Sequence, residues 1–151
     1  MNTINIRQAG FNDVELVSKI FNEYRVFYGC ESDLKAAESF IYERIKNLES
    51  VIFIATDEQD KCMGFTQLYP LFSSVSMKKV YILNDLFVYP DYRRQNVASQ
   101  LLTETVRLGK QFHAARITLT TEISNENAQK LYEKNGFSFD HENKVYHYYI
   151  K

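Results

Sequence analysis

The chain has few of the residues that organise special architectures: two cysteines, two prolines and five glycines among 151 positions. Cys30 and Cys62 lie far apart, with no CxxC spacing and no paired histidines, which excludes a disulfide framework and a structural zinc site. No metal is expected, and a reducing cytoplasm is the compartment this cysteine usage fits. So little proline and glycine, with no low-complexity tract and no repeat, leaves no linker, and residues 1–151 are expected to form a single domain. Eighteen Lys plus Arg against nineteen Asp plus Glu give a net charge of −1. A general electrostatic attraction to nucleic acid or an anionic membrane is therefore excluded, and any anion site must be local. No window approaches the ~18 apolar residues of a membrane span. Met1 to Gly10 alternates apolar and polar residues without a basic stretch and apolar run, so neither a signal nor a transit peptide is expected.

What is present is a chain 45% hydrophobic, at a length that supports one sizeable core. Asn2 to Arg7 alternates with period two and predicts a strand; Asn12 with Glu15 resembles a capping pair opening a helix. Val14, Val17, Phe21, Tyr24 and Tyr28 line one face of that helix, which should end near Gly29. A second helix from Asp33 carries Leu34, Ala37, Ile41, Ile45 and Leu48 at helical spacing. Strands are predicted at Val51 to Thr56, at Cys62 to Tyr69 with a stop at Pro70, and at Lys79 to Val88 before Pro90. A long helix should follow at once, with Val97, Leu101, Leu108 and Phe112 buried beside Ala98 and Leu102. Arg116 to Thr121 reads as a strand, Asn125 to Asn135 as a helix closed by Gly136, and the end of the chain as two more β segments. The order gives a mixed sheet covered by helices.

Arg93 and Arg94 fall where the strand before Pro90 gives way to the long helix. Cations facing the positive end of a helix dipole are unfavourable by up to ~1 kcal/mol each. Two readings of the residues stand: the arginines point into water, or an anion sits in the turn and takes backbone N–H groups and guanidinium bonds together.

The segment from Asn84 to Ala98 resembles the acetyl-CoA-binding motif of the GNAT acetyltransferases, Arg/Gln-x-x-Gly-x-Gly/Ala. Arg93 and Ala98 match; Asn96 stands where the family has glycine, and asparagine is the next residue most tolerant of unusual backbone angles. Asn125 to Phe137 is similar to a second family segment, Asn-x-x-Ala-x-x-Leu-Tyr-x-x-x-Gly-Phe. Asn125 and Tyr132, seven apart on a helix, return to nearly one face about 10 Å along the axis and can address one extended ligand, although Tyr132 also reads as a core residue beside Leu131. Tyr24-Arg-Val-Phe-Tyr, Gly64-Phe-Thr-Gln-Leu-Tyr-Pro and the ending His147-Tyr-Tyr resemble a bacterial branch similar to the yeast histone and polyamine acetyltransferases.

The resemblance implies an α/β (α+β) GNAT fold, a mixed central sheet of six to seven strands flanked by four helices. It implies acetyl-CoA as acetyl donor, held by Phe87, Val88, Arg93, Arg94, Gln95, Asn96, Val97, Ala98, Ser99, Asn125 and Tyr132. Asn125 would meet the pantetheine amides and Tyr132 the sulfur, while backbone N–H around Phe87 and Val88 polarises the thioester carbonyl. The implied reaction is direct attack of an amine. A lysine-like amine is protonated at neutral pH, and freeing it of its proton costs about 4.6 kcal/mol, so a carboxylate is needed. Asp85 and Glu122 are the candidates; related polyamine acetyltransferases often have a glutamate where this chain has Asn84. A small primary amine, polyamine or lysine-like, is the expected acceptor, with Tyr24, Tyr28, Tyr69 and Phe72 offering aromatic faces and Glu31 and Asp33 negative charge. Tyr24 and Tyr28 also fit the stripe that packs on the sheet. Acetylation of a protein lysine or N-terminus, and a non-catalytic acyl-CoA-binding module, are the alternatives. A homodimer is expected, with Tyr146, Tyr148 and Tyr149 facing the partner.

Overall fold

The computed structural model describes residues 3–151, which divide into two compact units, the first ending at Thr120 and the second beginning at Thr121. The first holds β1 (Asn5–Gln8), α1 (Val14–Phe27), α2 (Leu34–Lys46), β2 (Val51–Thr56), β3 (Cys62–Ser73), β4 (Lys78–Val88), α3 (Val97–Gln111) and β5 (Ile117–Leu119). The strands run β1-β2-β3-β4-β5 across one sheet, antiparallel except for the parallel β4–β5 pair. The second unit holds α4 (Glu126–Lys134). The fold is α+β with a mixed sheet and four helices.

Side-chain parity decides which helix covers which face. Ile52 and Ile54 of β2, Phe65 of β3 and Phe87 of β4 pack with Val17, Ile20 and Phe21 of α1 and Ala37 and Ile41 of α2. Residues one step out of phase, Ala55, Gly64 and Val88, lie in register on the other face. A Cβ on Gly64 would stand 3.2 Å from Val97 Cγ1 and 3.0 Å from the Phe87 carbonyl, so this glycine is what lets the start of α3 sit down on the sheet.

Several expectations are corrected. The described sheet has five strands, not six to seven: no strand forms after Gly136, because a strand needs a ladder partner and the second unit contains none. The first strand covers Asn5–Gln8, and Asn2 lies outside the described residues. Asn12 does not cap α1; it sits inside a 3₁₀ turn, and the Asp13 carboxylate accepts the Gly10 N–H at 2.8 Å while pairing with Arg7. β3 runs on through Pro70 to Ser73, which is tolerated because β2 ends opposite Leu68 and Pro70 lies on an open edge. A 3₁₀ turn at Pro90–Tyr92 and a loop separate β4 from α3, and Leu48 and Phe112, both past their helix ends, are exposed. Asp33 caps α2, accepting the Ala36 N–H at 3.0 Å, and Gly29 and Gly136 take positive φ at the ends of α1 and α4. No helix among the described residues is long and apolar enough to cross a membrane.

Candidate active site

In the β3–β4 ladder Gln67 pairs with Asp85 but Leu68 pairs with Leu83, so Asn84 is an extra residue and β4 bulges. Thr66 Oγ1 fastens the bulge by donating to the Asp85 carbonyl at 2.8 Å. The Asp85 side chain is driven inward, with 3% of the residue exposed. Its Oδ1 accepts from Asn84 Nδ2 at 2.9 Å, its Oδ2 from Gln67 Nε2, and the Tyr24 hydroxyl is a third donor. Ser50 Oγ donates to Gln67 Oε1 at 2.8 Å. Burial raises the Asp85 pKa above the usual carboxylate range, and the three hydrogen bonds pull against that rise without cancelling it. The Tyr69 phenol is pushed up to about 12, first by burial and then by the negative charge of Asp85. A buried carboxylate with raised proton affinity is a candidate proton acceptor.

β5 stays with β4 only from Tyr81↔Ile117 to Leu83↔Leu119, so among the described residues no strand covers the outer edge of β4 beyond Leu83. The Tyr89 N–H bonds the Met63 carbonyl. Antiparallel pairs alternate, so Phe65↔Phe87 is the next bonded pair and the N–H groups of Leu86 and Val88 turn to the open edge. Of the two predicted polarising groups, Val88 thus presents its N–H outward, and Phe87, buried, directs its own into the ladder.

Arg93 does not hang in water. Its Nε donates to the Val88 carbonyl at 3.0 Å, and its guanidinium lies 5.4 and 5.5 Å from the ring centres of Phe27 and Phe87. Arg94 and Asn96, both exposed, take left-handed φ of 60° and 68°. Gln95 ties the loop by donating to the Asp91 carbonyl at 2.9 Å. Asn96 gives the start of α3 no side-chain cap and no acid stands in its first turn, so the positive end of this 15-residue helix is unneutralised. Val97 is buried, and Ala98 and Ser99 are half-buried beside it.

In the second unit Asn125 caps α4, its side-chain oxygen accepting the Ala128 N–H at 3.1 Å; its amide NH₂ is the part able to serve a ligand. Tyr132 is half-buried, its ring edge-on to Phe137 at 6.1 Å. Glu122 is exposed, and its carbonyl accepts the Asn125 N–H at 3.0 Å.

Among the predicted acceptor-binding residues, Tyr24 packs edge-on against Phe65 and Phe87 while its hydroxyl approaches the Asn84 carbonyl at 3.4 Å, so it serves core and site together. Tyr28 is exposed against Tyr24, their ring centres 5.0 Å apart. Phe72 is not brought in: three residues beyond Tyr69 on one strand, it faces the opposite side about 10 Å further on. Asp33 is committed to capping α2, and its N–H donates to the buried Asn22 at 2.9 Å; Glu31 is exposed in the same loop. Sequence reasoning missed Gln67 and Ser50. The available signal was a polar residue at the inward parity of β3, two positions after Phe65.

An open strand edge, a left-handed turn into an uncapped helix and a buried carboxylate thus lie along one stretch of chain. Residues 17–137 match the model of the Acetyltransferase (GNAT) family, and the chain belongs to it. It is 49% identical over 137 residues to YhfO, an uncharacterised N-acetyltransferase of Bacillus subtilis (strain 168), covering 91% of each chain. A crystal structure of a probable acetyltransferase superposes with a TM-score of 0.94 at 42% identity, covering 97% of this chain and 98% of that one. The aminoglycoside N-acetyltransferase AAC(6')-Iy in complex with CoA shares the fold at a TM-score of 0.77 and 22% identity, covering 100% of this chain and 96% of that one. The protein is an acetyl-CoA-dependent N-acetyltransferase.

Proposed function

We propose that this enzyme acetylates a small primary amine, polyamine or lysine-like, with Asp85 as general base, and that residues 1–151 act as one N-acetyltransferase domain of the bacterial branch similar to the yeast histone and polyamine enzymes. The observation that carries this reading is the buried Asp85 carboxylate beside the Tyr24 and Tyr69 rings: negative charge and aromatic faces together recognise a compact cation. Tyr28 and Glu31 stand toward the exposed side of the same helix and its following loop, where a second amine of a polyamine would be met. Glu122, exposed at the surface of the second unit, is the second candidate.

The residues present suit acetyl-CoA. The left-handed Arg94–Asn96 turn and the uncapped start of α3 suit a pyrophosphate, with Arg94 as the exposed cation, and the open edge of β4 at Leu86 and Val88 suits the pantetheine amides. For the second unit the family resemblance assigns Asn125 to the pantetheine amides, through its amide NH₂, and Tyr132 as proton donor to sulfur. When bound, acetyl-CoA supplies an activated thioester. Asp85 takes up the proton that the amine must shed, and the Val88 N–H stabilises negative charge developing on a carbonyl oxygen. A cytoplasmic homodimer is part of this reading, supported by the exposed Tyr146, Tyr148 and Tyr149, and light scattering giving a monomer mass at micromolar concentration would remove the dimer.

The test is a panel of polyamines, amino acids, aminoglycosides and peptides assayed for CoA release. Turnover with a polyamine or lysine-like amine is expected. Turnover confined to a peptide lysine or N-terminus would replace the small-amine reading with a protein-modifying one.

A further inference from the structure

Gln67 is wholly buried on the strand beside Asp85 and takes part in no step described above. Its amide is held at both ends: Ser50 Oγ donates to Oε1 at 2.8 Å, and Nε2 donates to Asp85 Oδ2. An ionised carboxylate can only accept, so Gln67 must present its NH₂ to Asp85. Ser50, a hydroxyl that can donate or accept, then supplies the proton to the amide oxygen. When Asp85 gains a proton the same three groups can be satisfied in reverse. The Asp85 O–H donates to Oε1, and the rotated NH₂ donates to Ser50 Oγ. A leucine or methionine here would leave the buried carboxylate short of a donor, and a bare glutamine would leave its own oxygen unpaired.

We propose that Gln67, backed by Ser50, is a positioning residue that keeps the buried Asp85 carboxyl hydrogen-bonded in both protonation states, by rotation of its amide, and holds its proton affinity within the range a turnover can use. This deepens the assignment of Asp85 as general base and rests on it. The experiment is a carbon-13 NMR titration of the Asp85 side-chain carboxyl in the wild type, Gln67→Met and Ser50→Ala, with pH–rate profiles of the same proteins and of Asp85→Asn. Gln67→Met is expected to raise the proton affinity of Asp85 about tenfold and move the ascending limb of the rate profile up by the same amount, with KM for acetyl-CoA unchanged. Ser50→Ala should shift both the same way by less, and remains readable if Gln67→Met folds poorly. An Asp85 titration unmoved in the variants overturns the proposal while leaving Asp85 as base. If Asp85→Asn keeps the ascending limb, the base assignment itself fails, whatever the glutamine does.

Discussion

The Asp85 pocket and the Arg93–Ser99 turn sit at the middle and the end of one stretch of chain, and they handle charge in opposite ways. At Asp85 a single negative charge is buried among side-chain donors, one from its own strand, Asn84, and two brought from other elements, Gln67 from β3 and Tyr24 from α1, with Ser50 behind. In the turn the charges are exposed, and the backbone is bent into left-handed angles at Arg94 and Asn96. In the first, burial raises proton affinity; in the second, the start of α3 has no side-chain cap, and the proposed ligand is one that brings its own charge. Neighbouring segments of one motif can therefore depend on different physics and should break differently.

The largest expected effect is at the pocket. Asp85→Asn should lower kcat by about 10²-fold or more and abolish the ascending limb of the pH profile, with acetyl-CoA affinity intact, because a positioned base contributes about 10²–10⁴-fold. Steady-state kinetics across pH, with calorimetry for the cofactor, checks this. In the turn, replacing Arg93 and Arg94 together by alanine should weaken CoA binding about tenfold or more and reduce its dependence on salt, since a charge-assisted bond contributes about 1.5–3 kcal/mol. The single variants sharpen the contrast: Arg93→Ala should also lower the melting temperature, because its guanidinium braces Val88, Phe27 and Phe87, whereas Arg94→Ala should change affinity alone.

A smaller effect is expected from the backbone. Asn96→Ala forces a Cβ residue without local hydrogen-bonding ability to hold φ near 68° and should cost about 1 kcal/mol in thermal or denaturant unfolding; Asn96→Gly should cost nothing. The smallest is a linkage of opposite sign at two carboxylates. Folding raises the pKa of Asp85, chiefly by burial, so the folded chain binds more protons and the stability from this group is lost as pH rises through its folded pKa. Asp13 is held below its ordinary value, first by its hydrogen bond to Arg7, so its contribution is present at neutral pH and lost as pH falls through its folded pKa. Comparing unfolding of Asp13→Asn with wild type should show a gap that closes in acid; a gap unchanged by pH would sink that account.

Legibility followed sequence distance. The turn was readable because its chemistry is local: Arg93, Asn96 and Ala98 lie within six residues, and the asparagine in the glycine position does take the left-handed angle. The stops at Gly29 and Gly136 were local too; the caps at Asp33 and Asn125, which each accept the N–H three residues on, went unread although their signal is as local. Phe72 was misplaced among the acceptor-binding aromatics because its face depends on strand parity running unbroken past Pro70, and the missing sixth and seventh strands because a strand exists only with a partner. Composition and periodicity by themselves determined the four helices and the five strands to within a few residues. Tertiary structure alone decided what surrounds Asp85. Gln67 and Ser50 lie 18 and 35 positions away and Tyr24 further still, and they reach one carboxylate because the β3–β4 ladder sets Gln67 directly across from Asp85, at the parity of Phe65 and Phe87 that packs against α1.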